Sequence, residues 1–369
     1  MTIRSGIFMA PREAYGNSGE SESGQVLVVR QTKMALEVAE IPDAVARFLD
    51  NARPQFSRIG AAIRETDPPV VVTCARGSSD HAAGYFKYCT EILAGIPVAS
   101  IGPSVASIYD APLKLEKSVL IAISQSGMSP DIVSLTQAAG RGGARTVAIV
   151  NNEQSDLAKV ADLCLPIVAG PEKSVAATKT FISSAVAALA LLAAWRQDDA
   201  LTAAIDNLPE TLAAALRLDW SGPVDMLAEA GSLYVLGRGP GYPIAQEAAL
   251  KFKETASLHA EAHSGAEVMH GPLSLVRDRF PVLALSPGDA SRKAMREAVE
   301  RLRQAGAELV CVENDDPSEN SLPYAPSGHA LADPISIATS FYRLVEAVAG
   351  ARGFDPDNPV NLKKVTETV

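Results

Sequence analysis

The sequence predicts an α/β protein built from two tandem copies of one module, each a parallel β-sheet covered by helices on both faces in three layers. Three observations predict it. An apolar run, an Arg-Gly turn and a helical stretch occur at residues 70–89 (VVVTCARGSSDHAAGYFKYC) and again at 232–253 (SLYVLGRGPGYPIAQEAALKFK). Arg76 then matches Arg238 at an offset of 162 (238 minus 76), Ser124 matches Ser286 at the same offset, and Asn151 matches Asn314 at 163 (314 minus 151). Near-constant offsets over three separate motifs mark a duplicated unit. Finally, the apolar runs do not alternate with polar residues, which suits strands covered on both faces and therefore parallel sheets.

The elements follow in order. Residues 2–24 are rich in Gly, Ser and Glu, and the tail at residues 1–32 is expected to be disordered. A leading helix covers residues 33–66; its regular part starts near Ile41, with Pro42 suited to a first turn and Val45, Phe48, Leu49 and Ile63 available for packing. In the first module, residues 67–200, strands are expected at 70–74, 119–123, 146–150 and 163–168, separated by Ala-rich helical stretches. The most apolar stretch, residues 181–195, is bounded by Lys179 and Arg196 and falls short of the roughly 20 residues that span a bilayer, so it reads as a buried helix. A helical connector follows at 201–225, then a second module at 226–352 and a polar tail at 353–369.

Composition narrows the function. The chain has 369 residues, 47% of them hydrophobic, enough to fill two cores. A formal charge of −10 argues against a nucleic-acid partner, because a phosphate backbone calls for clustered Lys and Arg in excess. A small anionic ligand needs only local donors. Cys74, Cys89, Cys164 and Cys311 are scattered without a CxxC pair or a zinc-like spacing, as expected of reduced thiols in a cytoplasmic protein with no metal. No signal peptide and no membrane span are expected.

Two clusters carry the chemistry. Ser124-Gln125-Ser126-Gly127-Met128-Ser129 follows the strand VLIAI and precedes a helix starting near Asp131. Such a turn presents free backbone N–H groups and the positive end of a helix dipole, and its hydroxyls could wrap an anion. Gly77-Ser78-Ser79 occupies the equivalent turn of the preceding strand, so both turns should open on one sheet edge and hold a phosphate with a polar body. The second copy replaces the serine cluster with Ser286-Pro287-Gly288-Asp289 and should bind no phosphate. The other cluster is EAALKFKETASLHAEAHSGAEVMH, residues 247–270. Glu247, Lys251 and Glu254 share one helical face, which is either a solvated charged stripe or an acid/base set. His259 and His263 at i, i+4 could in principle grip zinc, but the metalloprotease pattern needs Glu directly after the first His, and here Glu261 stands two positions on. Acid/base work is the better use of this Glu/His/Lys set.

In dense order the chain carries TKMALEVAEIP, RGSSD, SQSGMSPD, AGPEKSVAATKTF, KFKETASLHAEAHSGAEVMHGPLSL and NPVNLKKVTETV. By these motifs, from about Thr32 to the end, it resembles the two-domain SIS phosphosugar proteins, chiefly the isomerase half of glucosamine-6-phosphate synthase and the SIS-type glucosamine-6-phosphate deaminases. The resemblance implies two flavodoxin-like SIS domains and a phosphosugar substrate, with no cofactor. It assigns phosphate binding to Ser124, Gln125, Ser126 and Ser129, and sugar binding to Ser79 with Gly77 and Ser78 beside it. Glu254 matches the carboxylate that moves protons between C1 and C2. His270 matches a ring-opening histidine supplied by the neighbouring subunit of a homodimer. Lys364 matches a lysine near the carbonyl end of the open sugar, carried on a tail that closes over the site, and Lys251 matches another lysine of that pocket. Ala177 stands where the synthase has a serine, which removes a hydroxyl from the pocket.

RGSSD and the SQSGxSPD loop look more like the deaminase branch. The roughly 30 residues before Lys33 are also too few for the synthase's glutaminase domain and hold no cysteine. The expectation is therefore a glucosamine-6-phosphate deaminase giving fructose 6-phosphate and ammonia. The alternatives are another SIS isomerase or a fructosamine-6-phosphate-type deglycase, and a sugar-phosphate sensor without catalysis.

Overall fold

The computed structural model describes residues 31–314 and 320–364, so the expected disordered tail at 1–32 lies almost wholly outside the described residues. The leading segment is two helices, α1 (Lys33–Ala39) and α2 (Ile41–Thr66), where the sequence suggested one. Proline in the first turn of α2 cannot donate a backbone N–H into the preceding helix, so the chain breaks at Glu40 and restarts. The first module then runs β1 (Val71–Cys74), α3 (Ser78–Ala94), β2 (Val98–Ser100), α4 (Ser104–Ser107), β3 (Val119–Ser124) and α5 (Pro130–Arg141). It continues with β4 (Arg145–Val150), α6 (Asp156–Val160), β5 (Leu163–Pro166) and α7 (Lys179–Arg196).

Helices α8 (Asp199–Asp206), α9 (Leu208–Ala215) and α10 (Val224–Glu229) connect to the second module. That module comprises β6 (Ser232–Gly237), α11 (Gly241–Ala256), β7 (His259–Ser264), β8 (Phe280–Leu285) and α12 (Arg292–Gln304). It ends with β9 (Ala307–Val312), β10 (Ser321–Leu322) and α13 (Asp333–Ala351). Between β7 and β8 lie two short 3-10 turns, Glu267–Met269 and Pro272–Leu275.

Both sheets are wholly parallel. The strand orders are β2-β1-β3-β4-β5 and β7-β6-β8-β9-β10, so the second sheet repeats the first strand for strand. In each, the order reverses beside the first strand, and in open α/β sheets ligands bind outside the carboxyl ends of strands at that point. The duplication extends to single side chains. Asn151, just past β4, accepts from the Ala169 amide (2.9 Å) and donates to the Gly170 carbonyl (2.8 Å). Asn314, just past β9, accepts from the Tyr324 amide and donates to the Tyr324 carbonyl, both at 3.0 Å.

Helix α7 is buried along nearly its whole length between α2 and α3, as its apolar composition predicted. Gly60 lets α2 approach closely, since a Cβ there would lie 2.7 Å from the Trp195 backbone nitrogen. Across the two modules α3 packs against α11, and α11 against α13. That seam carries the polar groups of interest.

Candidate active site

The turns after β1 and β3 lie side by side, because Cys74 at the end of β1 is opposite Ala122 near the end of β3. In the β3 turn, the Gly127 amide donates to Ser124 Oγ (3.1 Å) and the Met128 amide to Ser126 Oγ (3.3 Å). Gly127 has φ +64°, the left-handed region, and a Cβ there would lie 2.2 Å from Ser155 Oγ. Only glycine fits both the angle and the space. Ser129 precedes α5 in extended conformation, yet its hydroxyl makes no capping bond and stays available at the helix amino terminus. Gln125, Ser126 and Ser129 are all partly exposed.

The β1 turn is tied to this loop by Arg76, whose Nε and Nη2 donate to Asp131 Oδ2 at 3.0 and 2.9 Å. Asp131 is fully buried. Gly77 adopts φ +55° and ψ −133°, which lets the chain swing from β1 into α3 and leaves Ser78 and Ser79 in the first helical turn.

From there a buried polar network crosses to the second module. His81 Nδ1 lies 2.8 Å from Glu247 Oε2, and the Ser78 hydroxyl also bonds Glu247. The Tyr342 hydroxyl donates to Glu247 Oε1 at 3.2 Å. Lys251 Nζ is 3.4 Å from Glu247 Oε1 and donates to Glu254 Oε2. Glu247 and Lys251 are buried, whereas the Glu254 side chain keeps 22% exposure. The charged stripe on α11 is therefore an internal, ion-paired row and not a solvated face. Burial alone would raise the Glu247 pKa, but Lys251, His81 and Ser78 outweigh it and hold the carboxyl below its ordinary value. Burial likewise opposes a charge on Lys251, and the two carboxylates overcome it and raise its pKa. Burial and the Glu247 carboxylate push the Tyr342 phenol well up, with Glu172 and Glu254 adding to the effect.

Glu172 anchors the loop that carries Ala177. Its carboxylate accepts from the Thr178 and Thr180 amides (3.0 and 3.1 Å), from Thr180 Oγ1 (2.6 Å) and from Lys364 Nζ of the tail (3.0 Å). Ala177 is partly exposed in that loop.

His270 is not joined to this network. It follows the first 3-10 turn, is exposed, and its ring makes no hydrogen bond among the described residues. His259 and His263 lie on β7, not on a helix, and four residues along a strand span about 13 Å, so they cannot share an ion. Among the described residues no group of three His, Cys, Asp or Glu could hold a metal. Burial pushes the Cys74 and Cys89 thiols up to about 12, and those of Cys164 and Cys311 to about 11, so none is a ready nucleophile at neutral pH.

The equivalent loop of the second copy is occupied by its own groups. The Gly288 amide donates to Tyr324 Oη (2.9 Å), and Asp289 Oδ1 accepts from the Ser291 amide (2.8 Å) and hydroxyl (2.5 Å). Sequence reasoning missed His81, Tyr342 and Glu172 as members of the site. The first had a visible signal, since it sits in the turn directly after RGSSD.

The SIS domain family model matches residues 67–194 and 226–321. The glutamine–fructose-6-phosphate aminotransferase [isomerizing] of Symbiobacterium thermophilum is 33% identical over 323 residues, covering 82% of this chain and 52% of that protein. That of Thermotoga maritima is 33% identical over 356 residues, covering 90% and 58%. The chain thus spans about half the length of the curated relatives it matches. A structure from Silicibacter pomeroyi DSS-3, provisionally assigned as a phosphosugar isomerase, is 51% identical with a TM-score of 0.85, covering 89% of this chain and 100% of that one. The C-terminal domain of glucosamine-fructose-6-phosphate aminotransferase from Francisella tularensis is 26% identical with a TM-score of 0.78, covering 92% and 100%. A glucosamine-6-phosphate deaminase from Thermotoga maritima, 21% identical over 91% of this chain and 100% of that one, shares the fold with a TM-score of 0.72.

Proposed function

Because the chain belongs to the SIS domain family of phosphosugar isomerases, we propose that it is a glucosamine-6-phosphate deaminase, working as a homodimer. The observation that carries this reading is the run of contacts from the serine turn through Arg76–Asp131 and Ser78–Glu247 to Lys251 and Glu254. It joins an anion-binding turn to a partly exposed carboxylate with a buried lysine behind it.

Ser124, Gln125, Ser126 and Ser129 hold the phosphate with the amino terminus of α5, while Gly77, Ser78 and Ser79 hold the sugar. A histidine, His270 of the second subunit, protonates the ring oxygen as the pyranose opens. Glu254 takes the acidic C2 proton and returns one at C1, which converts the amino aldehyde to a C2 imine. Water then hydrolyses the imine to fructose 6-phosphate and ammonia. A carboxylate suits a shuttle between adjacent carbons because one group can reach both. Lys251 steadies its charge, and Lys364 meets the carbonyl end of the open chain after leaving Glu172. The Ala177 position, without a hydroxyl, sets this pocket apart from the synthase form.

A second reading, aldose–ketose isomerisation without nitrogen loss, shares ring opening and the C2-to-C1 transfer, and the assignment of the Silicibacter pomeroyi structure favours it. Ammonia release from glucosamine 6-phosphate, measured beside isomerisation of neutral hexose 6-phosphates, separates the two. Ammonia release supports the deaminase, and isomerisation without it supports the alternative.

A further inference from the structure

We propose that His81 is a catalytic acid/base of the same chain, acting on O1 of the sugar through Nε2, with Glu247 as the carboxylate that orients it. This inference rests on the amino-sugar-phosphate reading above. His81 lies in the first turn of α3, two positions after Ser79, in the turn that Arg76 ties to the phosphate loop. Its Nδ1 is 2.8 Å from Glu247 Oε2, and its side chain is 18% exposed. Among the described residues Nε2 makes no hydrogen bond.

Glu247 is itself fixed from three elements. Ser78 of α3 and Tyr342 of α13 bond it, and Lys251 of its own helix pairs with it at 3.4 Å. An ionised carboxylate only accepts, so Nδ1 carries a proton and Nε2 is the nitrogen left to exchange one with a ligand. A carboxylate behind a histidine sets the tautomer and steadies the imidazolium that forms when Nε2 takes a proton.

The chemistry needs such a group. In ring opening the O1–H bond and the C1–O5 bond break, C1=O1 forms, and O5 gains a proton. Nε2 takes the O1 proton while the second subunit's histidine, an imidazolium, protonates O5. In the next step Glu254 takes the C2 proton, C1=C2 forms, and O1 must regain a proton. The His81 imidazolium returns it, so one nitrogen serves O1 in both steps and ends neutral. Glu254 then delivers its proton to C1, leaving a protonated imine at C2. Hydrolysis of that imine releases ammonia and one proton, which restores the second subunit's histidine.

The test uses the full chain with His81→Ala and His81→Asn. Turnover of glucosamine 6-phosphate should fall about 10²- to 10⁴-fold, the usual contribution of one acid/base. Calorimetric affinity for 2-amino-2-deoxyglucitol 6-phosphate, a linear analogue with no carbonyl, should fall by no more than about tenfold, the loss of one hydrogen bond to O1. Added imidazole should restore part of the His81→Ala activity. Turnover near the wild-type rate, or a parallel loss of analogue affinity with no imidazole rescue, overturns the proposal. A wild type that exchanges the C1 hydrogen of fructose 6-phosphate in heavy water but releases no ammonia sinks the deaminase reading alone. His81 is then judged by the same fall in exchange, and a wild type with neither activity ends both proposals.

Discussion

Ser126 and Gly127 are neighbours with separable tasks. With Ser126 on the phosphate as proposed, its replacement by Ala removes one hydroxyl from an anion, worth about 1.5–3 kcal/mol, so affinity should drop for every phosphosugar without a change in which sugar is preferred. Equal affinities of mutant and wild type by calorimetry would exclude this serine from the phosphate site. Gly127→Ala should instead unfold the protein more readily, because its Cβ meets Ser155 at 2.2 Å on top of a positive φ. Gly77→Ala has the strained angle but open space, so it should cost only the backbone strain, about 1–3 kcal/mol. Denaturant melts should rank Gly127→Ala as the weaker fold, and the reverse order would show that the Ser155 contact relaxes freely.

Helix α2 packs closely on α7 at Gly60, where an alanine would press on the backbone of Ala194 and Trp195. Gly60→Ala should therefore cost about 1–3 kcal/mol, as overpacking does in a filled core, while the serine turn keeps its ligand affinity. A thermal melt at the wild-type midpoint would mean that the two helices slide apart at no cost. The same scale shows what the sequence made legible. β1, β3 and β4 were visible as continuous apolar runs, since both of their faces are covered. β2 is three residues with two exposed, β10 has two residues, and β7 reads HAEAHS. These outer strands lack a two-sided apolar cover and so leave no run to detect. The serine turns were legible because strand, turn and helix are contiguous. The burial of Glu247 was not, because it depends on Tyr342, 95 residues away, and on His81, 166 residues away.

The buried Glu247–Lys251 pair gives the molecule a pH signature. The Glu247 pKa is lowered on folding, so its contribution is present above the ordinary value of 4.5 and is lost as pH falls through the folded value. The Lys251 pKa is raised, so its contribution is complete below 10.5 and is lost as pH rises through the folded value. The unfolding free energy of the wild type minus that of a Glu247→Gln, Lys251→Met double variant should therefore peak between those limits and decline on both sides. A difference independent of pH would remove the pair from the stability argument. The proposed dimer makes its own prediction. Glu254→Gln and His270→Ala, each inactive alone, should on subunit exchange recover about a quarter of wild-type activity if pairing is random and sites are independent. Heterodimers that stay inactive would place the histidine's role within one chain or deny it one. Lastly, the tail returns to the start of the fold, where Asp357 accepts from the Lys33 and Met34 amides at 2.6 and 3.0 Å. Residues 33 and 357 are thus close enough that a chain trimmed to them can be joined there by a short linker and reopened elsewhere, most simply among the helices between the modules. A circularly permuted chain would then translate the second module first while keeping the α3–α11 seam, which would ask whether the order of synthesis matters to assembling a site that both copies share.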